Sequence, residues 1–334
     1  MELTSKLLKE KARELGIDCI GIGSVDRYKD APVMFSPLTL YPDCKTVITL
    51  AMRIPRGSYR GIIEGTHWHN YTFYSYNRLN TIFRPRLTYA LTCFIEDFGW
   101  EAMPHYPGGP EVSGRLEPLA PGKLPPEVAL SARIMAAGTG MGEIGHSKVF
   151  LTPEFGPRVR IGMILTDAEL EPDPLLQRSI CDRCLHCVRD CPGHALYSKH
   201  KKVSVKIEDR VFEWGDVDLG KCKLTHWGLN ELASPFVKKD MPGFKMNIDE
   251  QTMGWFEAIN FGRALSQRSR YLSTVANGFD ELGQGGRPGS ICGAYGCIQS
   301  CYEHLKQTGR IGKDKRAYYL QKDDSAKGGE NHVE

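Results

Sequence analysis

The chain has no apolar run long enough to span a bilayer. Its first residues, Met1 to Lys11, are charged and read as a helix, with no apolar core for export and no twin-arginine pair. It also lacks a dominant charge. The 43 basic and 40 acidic residues leave a net +3, too balanced to argue for nucleic acid or an anionic membrane as partner. A soluble cytoplasmic protein without a membrane partner is the expectation. The 334 residues suffice for one large domain or two of ordinary size. No internal repeat is visible apart from two groups of cysteines. The cysteines are the conspicuous presence, eleven in all. A disulfide framework is the default for small secreted chains, so in a long chain without a signal they point to metal or redox chemistry.

Hydrophobic spacing gives a coarse order of elements. Leu3, Leu7, Leu8, Ala12 and Leu15 share one helical face, and Gly16 ends the helix. Residues 19–23 and 47–53 read as short buried strands, and 54–80 as an aromatic, loop-like stretch. Pro85 suits the first turn of a helix, whose stripe is Leu87, Leu91, Phe94, Ile95 and Phe98, ending at Gly99. The Pro- and Gly-rich segment 104–126 reads as a long loop, a kind that is often functional. A helix over 127–137 closes at Gly138. Strands over 149–151 and 159–165 are joined through Pro-Glu-Phe-Gly-Pro. This mixture predicts an α+β layer domain over residues 1–170. A cysteine module should follow over 171–310, with an insertion at 223–291 that is helical over 252–279. The charged, Gly-rich tail 311–334 is expected to fray.

Cys181-x2-Cys184-x2-Cys187-x3-Cys191-Pro192 is the bacterial ferredoxin run. In such a run three thiolates wrap one [4Fe–4S] cubane, and the fourth ligates a second cluster. A second cysteine set is therefore required, and Cys222, Cys292, Cys297 and Cys301 supply it. The expected allocation puts Cys181, Cys184, Cys187 and Cys301 on one cluster, and Cys191, Cys222, Cys292 and Cys297 on the other. Two features depart from the usual second half. Four residues, not two, separate Cys292 from Cys297, and Tyr302 stands where proline usually follows the last ligand. Zinc is the competing metal, but four crowded thiolates ending in Cys-Pro suit it poorly. Cys19, Cys44 and Cys93 lie in apolar stretches and read as buried structural thiols.

A family resemblance begins at Gly140-Met141-Gly142-Glu143-Ile144-Gly145-His146. It continues through Thr152-Pro153-Glu154-Phe155-Gly156-Pro157-Arg158-Val159-Arg160 and Leu165-Thr166-Asp167 into the cysteine run. This resembles the superfamily of cobalamin-dependent reductive dehalogenases and epoxyqueuosine reductases, over roughly residues 1–222 and the last cysteines. The Gly-Glu-x-Gly and Pro-Glu-Phe-Gly-Pro-Arg-Val-Arg segments look more like the dehalogenase branch, as do Trp214 and Trp227 around Cys222. The chain length and the lack of an export signal are closer to the epoxyqueuosine reductases. The resemblance implies a nitroreductase-like α+β core that cradles a corrinoid, closed by a C-terminal ferredoxin-like module with two [4Fe–4S] clusters. Gly138, Gly140, Gly142 and Gly145 would let backbone approach a large flat ligand, with Met141 and His146 in the same cofactor-binding segment. A helix cap and turn would explain Gly138 or Gly140 but not all four. No Asp-x-His-x-x-Gly motif is present, which fits a base-off cobalamin without a protein ligand.

In such enzymes the cofactor carries the hard chemistry, and the protein must supply a proton. The resemblance implies a tyrosine donor assisted by a basic residue, or a carboxylic acid in the epoxyqueuosine reductases. Tyr71, Tyr74 and Tyr76 cluster upstream of Pro85. Tyr76, in Tyr76-Asn77-Arg78, lies closest to the family's tyrosine segment; an aromatic wall residue is the alternative. His146 stands where the family has Arg or Lys, and a histidine titrates near neutrality; a surface or cofactor-tail contact is its alternative. Pro126 occupies the epoxyqueuosine reductases' aspartate position, with Glu127 adjacent as a candidate acid or simply the start of a helix. His67 and His69 read as loop histidines. The 69 residues from 223 to 291 are expected to help cover the active site through Phe244, Met246, Met253, Trp255 and Phe256.

The leading expectation is a reductive-dehalogenase-like reductase of an unidentified small organic substrate. It would be fed by a low-potential electron donor such as ferredoxin or flavodoxin. One alternative is an epoxyqueuosine reductase acting on tRNA, which would need a basic tRNA-facing patch. The other is a two-cluster electron-transfer protein without corrinoid.

Overall fold

The first helix starts where its sequence provides a cap. In the computed structural model α1 (Ser5–Glu14) begins on Thr4, whose hydroxyl accepts the Leu7 N–H at 3.2 Å. Gly16 ends it with φ +82°, a conformation glycine adopts without steric cost. The structure describes residues 2–31, 36–67, 69–105, 117–126, 129–197, 201–234, 237, 241–266 and 292–312.

Along the chain follow β1 (Cys19–Ser24), β2 (Thr46–Arg53), α2 (Arg84–Glu96), β3 (Ala102–His105) and α3 (Ala132–Gly138). Then come the short pair β4 (Glu143–Ile144) and β5 (Phe150–Leu151), and β6 (Val159–Thr166). Four of these strands form an antiparallel sheet in the order β1-β2-β6-β3. Ile22, Ile48 and Ile164 lie in one register row and point to one face. There they pack with Leu8 and Ala12 of α1 and Leu91 and Ile95 of α2. The neighbouring row, with Val47 and Leu165, faces Met135, Ala136 and Ala137 of α3. The two-residue period of a strand thus builds helix, sheet and helix layers. Each fully buried Ile or Leu contributes about 1.5–3 kcal/mol of transfer free energy. A β-carbon at Gly21 would lie 2.6 Å from the Thr139 hydroxyl oxygen. That glycine lets the end of α3 rest directly on the sheet.

Three sequence expectations change here. The stretch 54–80, read as loop, is largely helical, with π-helical turns at Thr72–Asn77 and Leu79–Phe83. Its hydroxyls explain the widened turns. Ser75 donates to the Tyr71 carbonyl and Thr81 to the Asn77 carbonyl at 2.9 Å, in competition with the backbone ladder. The segment read as a loop from 104 begins instead inside β3, an edge strand that tolerates Pro104. The tail is not loose from 311, because Ile311 is buried against Leu151 and Leu305; residues 313–334 lie outside the described residues.

The remaining elements are α4 (His186–Arg189), the hairpin β7 (Lys202–Ile207) and β8 (Arg210–Gly215), α5 (Leu219–His226), α6 (Trp255–Ser266) and α7 (Cys297–Gln307). The hairpin was not legible in the sequence. Its Ile207, Phe212 and Trp214 join the same core as Val47 and Met163. The helix expected over 252–279 is described as α6; residues 267–279 lie outside the described residues. Trp227 and Leu224 anchor a separate cluster with Ile248, Met246 and Met253. No helix among the described residues is long and apolar enough to cross a membrane.

Candidate functional site

Distant segments bring the cysteines into two groups. Cys181, Cys184, Cys187 and Cys301 line one small cavity. The loop that carries the first three turns through Arg183 and Leu185, both with φ near +60°, a strained conformation for residues with side chains. Burial, then the neighbouring Cys181 and Cys184, push the Cys187 thiol up to about 12. Cys301 is raised by burial and then by Cys181, Cys187 and Cys184.

The second group is Cys191, Cys222, Cys292 and Cys297. Burial followed by Cys191 pushes Cys222 up to about 11. Cys292 is raised by burial, then by Cys222, Cys297 and Cys191. Thiols that oppose one another's ionisation become a stable ligand set once metal charge offsets them. This donor set suits iron–sulfur clusters, with four thiolates each. The long Cys292–Cys297 spacing is absorbed in a 3-10 turn over Cys292–Ala294, closed by the Gly296 N–H to the Cys292 carbonyl at 2.7 Å. Tyr302 is buried, with the Arg158 guanidinium 3.6 Å from its ring centre.

Glu143 is a residue that the sequence reading passed over. Its carboxylate accepts the Ile180 N–H at 2.7 Å, the Cys181 N–H, and an Arg210 N–H at 3.1 Å. It fixes the chain where the cysteine run begins. A lone acid inside Gly-Glu-x-Gly was the available signal. His304 ties the loop from the other side through Asp182 at 2.7 Å.

The second cysteine group opens on a cleft of about 390 Å³. Cys191, Cys222, Cys292 and Cys297 form one wall, and Tyr76, Asn77 and Asn80 from the π-helical turns contribute to another. Asp218 caps α5 by accepting the Lys221 N–H at 2.9 Å, and the helix delivers Cys222, Lys223, Thr225 and His226 to this cleft. The Tyr76 ring meets that of His226 at 5.0 Å, and the Arg160 guanidinium lies 5.6 Å from its centre. Burial, then Lys223 and Arg160, hold the His226 imidazole well below its ordinary value, so it is neutral.

The three candidate tyrosines separate cleanly. Tyr71 is fully buried against Tyr59 at 5.0 Å, Tyr74 is exposed, and Tyr76 lines the cleft. His146 corrects an expectation. It is buried beside the first cysteine group, its Nε2 is 3.4 Å from the Tyr197 carbonyl, and burial lowers its pKa. The cation beside Tyr76 is Arg160, not His146. The four glycines each face close neighbours within the protein. A β-carbon at Gly138 would strike Tyr28, one at Gly140 the Pro174 carbonyl, and one at Gly142 the Leu151 carbonyl. Gly145 similarly faces Leu151. Gly140 and Met141 line a different cavity, of about 520 Å³, beside α1 and β1.

Glu127 lies outside the described residues, and Pro126 is exposed. Of the insertion, Trp255 reaches the cleft, edge-on to Phe256 at 4.8 Å. Met246 and Met253 pack on the Trp227 cluster instead. His67 is exposed, and the His69 side chain is outside the described residues. Cys44 is buried, its thiol pushed up by burial to about 11. Cys19 lines the second cavity with its thiol 3.8 Å from Glu154.

No protein-family model matches the chain. Tetrachloroethene reductive dehalogenase of Desulfitobacterium hafniense is 40% identical over 73 residues, 21% of this chain and 13% of that protein. The tetrachloroethene reductive dehalogenase of Sulfurospirillum multivorans is 30% identical over 149 residues, 38% of this chain and 29% of that protein. An epoxyqueuosine reductase of Staphylococcus aureus is 25% identical over 232 residues, 59% of this chain and 54% of that protein. The matches thus span less than two thirds of these relatives' own lengths. Among solved structures, the epoxyqueuosine reductase from Streptococcus thermophilus gives a TM-score of 0.39 at 17% identity, over 59% of this chain and 54% of that one. A reductive dehalogenase structure gives 0.44 at 17% identity, over 64% and 28%.

Proposed function

The chain is a relative of the reductive dehalogenases and epoxyqueuosine reductases, and we propose that it is a corrinoid- and iron–sulfur-dependent reductase of a small organic molecule. The observation that carries this reading is the cleft, which has a four-cysteine group on one wall and Tyr76 beside Arg160 on another. Residues 1–170 serve as a nitroreductase-like corrinoid-binding core and 171–310 as a ferredoxin-like module for two [4Fe–4S] clusters. The cleft offers a flat ligand apolar contact through Leu130, Phe150, Val159 and Ile161, and Asn80 can bond a peripheral amide.

When bound, the clusters supply electrons singly and the corrinoid supplies the reducing metal centre. The chain's own residues do the rest. Cys191, Cys222, Cys292 and Cys297 hold one cluster at the cleft wall. Cys181, Cys184, Cys187 and Cys301 hold the other, and exposed Cys184 marks the side where a low-potential donor such as ferredoxin or flavodoxin would deliver electrons. Replacing a carbon–halogen bond by carbon–hydrogen takes two electrons and one proton and releases halide. Tyr76 donates that proton from its hydroxyl, and Arg160 offsets the negative charge left on the phenol oxygen.

Anaerobic reconstitution with iron, sulfide and cobalamin tests the reading. About eight iron atoms per chain are expected, with corrinoid bands in the visible spectrum. Eight irons without those bands would leave a two-cluster electron carrier. The second reading is an epoxyqueuosine reductase acting on tRNA, favoured by the broad Staphylococcus aureus alignment. Turnover of an epoxyqueuosine-bearing tRNA stem-loop by the loaded enzyme would establish it over the dehalogenase-like one.

A further inference from the structure

Five cations line the cleft, Arg84, Arg133, Lys148, Arg160 and Lys223, and among the described residues no aspartate or glutamate does. The chain as a whole has nearly equal numbers of acidic and basic residues, so this one-sided lining is a property of the site. The five do not play the same part. Arg84 is buried and structural, its guanidinium donating to the Ile161 carbonyl at 2.8 Å and the Asn80 carbonyl at 3.1 Å. Arg160 gives its Nε–H to the Ser75 carbonyl at 2.9 Å.

Lys223 differs. Its residue is only 9% exposed. Its ammonium sits 5.8 Å from the Trp227 ring centre and 5.9 Å from that of Trp255. Among the described residues it has no carboxylate or carbonyl partner. An ammonium carried on a largely buried side chain, lining a cleft with its donors unused, offers charge-assisted hydrogen bonds to an anion. Thr225, two residues on, is 2% exposed, lines the same cleft, and has no hydrogen-bond partner for its hydroxyl among the described residues. Leu219 and Trp255, which also line the cleft, are apolar.

We propose that the cleft takes a small organic anion with an apolar body, and that Lys223, with Arg160 nearby, receives its negative group. This rests on the cleft being the active site of the reductase proposed above. The same cationic chemistry would suit the nucleotide phosphate of cobalamin, so the test separates the two sources. It also separates a third role, counter-ion to the cluster beside Cys222.

The experiment uses oxidised protein reconstituted with iron, sulfide and cobalamin, without reductant, titrated by calorimetry with 4-chlorobenzoate and with the neutral 4-chlorobenzyl alcohol. The acid should bind at least about tenfold more tightly than the alcohol, as a charge-assisted contact requires. Lys223→Met should bring the two within about twofold, and Lys223→Arg should keep the preference, with iron and cobalt contents unchanged in both. Equal binding of acid and alcohol by the unmodified protein overturns the proposal, whether or not the variants fold. So does a preference that survives Lys223→Met. If Lys223→Met weakens retention of cobalamin but not of cobinamide, which lacks the nucleotide, the lysine belongs to the cofactor phosphate and the proposal falls. Loss of iron in that variant assigns it to the cluster, with the same consequence. Cobalt content, read on the same samples, keeps the failures apart. Preference without cobalt sinks the corrinoid reading and leaves the anion site standing; cobalt without preference does the reverse.

Discussion

Tyr76 and Glu143 concentrate different demands at single positions. Tyr76 stands at the cleft with its ring beside both His226 and Arg160, where its hydroxyl is the proton source proposed for reduction. Tyr76→Phe removes one oxygen and keeps the ring packing. Turnover should fall by about 10²–10⁴-fold, the range typical of general acid catalysis, while iron and cobalt contents stay constant. Undiminished turnover would remove Tyr76 from the mechanism. Glu143 does no chemistry in this account. Its carboxylate is nearly inaccessible and joins Arg210 to the chain entering the cysteine run. Glu143→Ala would strand that cation and two backbone donors, at a cost of about 3–5 kcal/mol. The consequence should be local. Iron should drop from about eight to about four per chain, with the cluster at Cys191 retained in the electron paramagnetic resonance spectrum.

Among the elements, α7 serves both cysteine groups, and α4 with the residues just past its end does the same. Cys187 belongs to one group and Cys191, four residues on, to the other; Cys301 and Cys297 repeat the division on α7. One helical turn moves a side chain along the axis by about 5.4 Å, enough to present neighbouring thiols to two sites. Cys191→Ala and Cys297→Ser should therefore abolish one paramagnetic signal, and Cys184→Ala and Cys301→Ser the other. A shared loss across all four would refute the allocation. β1 sets a different kind of limit. A β-carbon at Gly21 meets the Thr139 hydroxyl at 2.6 Å and its carbonyl at 2.9 Å, whereas one at Gly57 meets nothing within 4 Å. Gly21→Ala should cost about 1–3 kcal/mol through overpacking and lower the midpoint of thermal unfolding. Gly57→Ala should leave it in place.

For the whole molecule, three histidines, His146 buried and His105 and His226 half-buried, couple stability to pH. Burial lowers the pKa of His105 and His146, and burial with nearby cations lowers that of His226. The unfolded chain therefore binds protons more readily below the ordinary imidazole value of about 6.5. Stability is complete above that pH and falls as the pH drops through the window below it. His105 shows the structural reason. Its Nε2 accepts the Leu130 N–H at 3.1 Å, a bond that a protonated ring cannot make, and Leu130 lines the cleft. The thermal midpoint should be lower at pH 5.5 than at pH 7.5, and His105→Gln should shrink the difference. An unchanged pH dependence in that variant would exclude His105 as a contributor.

The sequence by itself determined what depends on near neighbours. Period and caps gave α1, β1, β2, α2 and β6 close to their observed bounds, because burial of one face imposes the 3.6- or two-residue spacing locally. The short intervals from Cys181 to Cys187 likewise gave the grouping of three thiols at one cavity. Other features depended on contacts across the chain. Tyr71, Tyr74 and Tyr76 are alike in sequence, and only the turns around Thr72–Asn77 decide that Tyr76 faces the cleft while Tyr71 enters the core. The glycines from 138 to 145 look alike in sequence, and only the fold sets Gly138 against Tyr28, Gly140 against Pro174, and Gly142 and Gly145 against Leu151. His146 and Arg160 are both basic, and tertiary folding alone sends one to the first cysteine group and sets the other beside Tyr76. The lining of the cleft, free of acids among the described residues, has the same origin. Its cations come from five separate stretches of a chain that is nearly neutral overall, and only the folded arrangement sums their charge at one place.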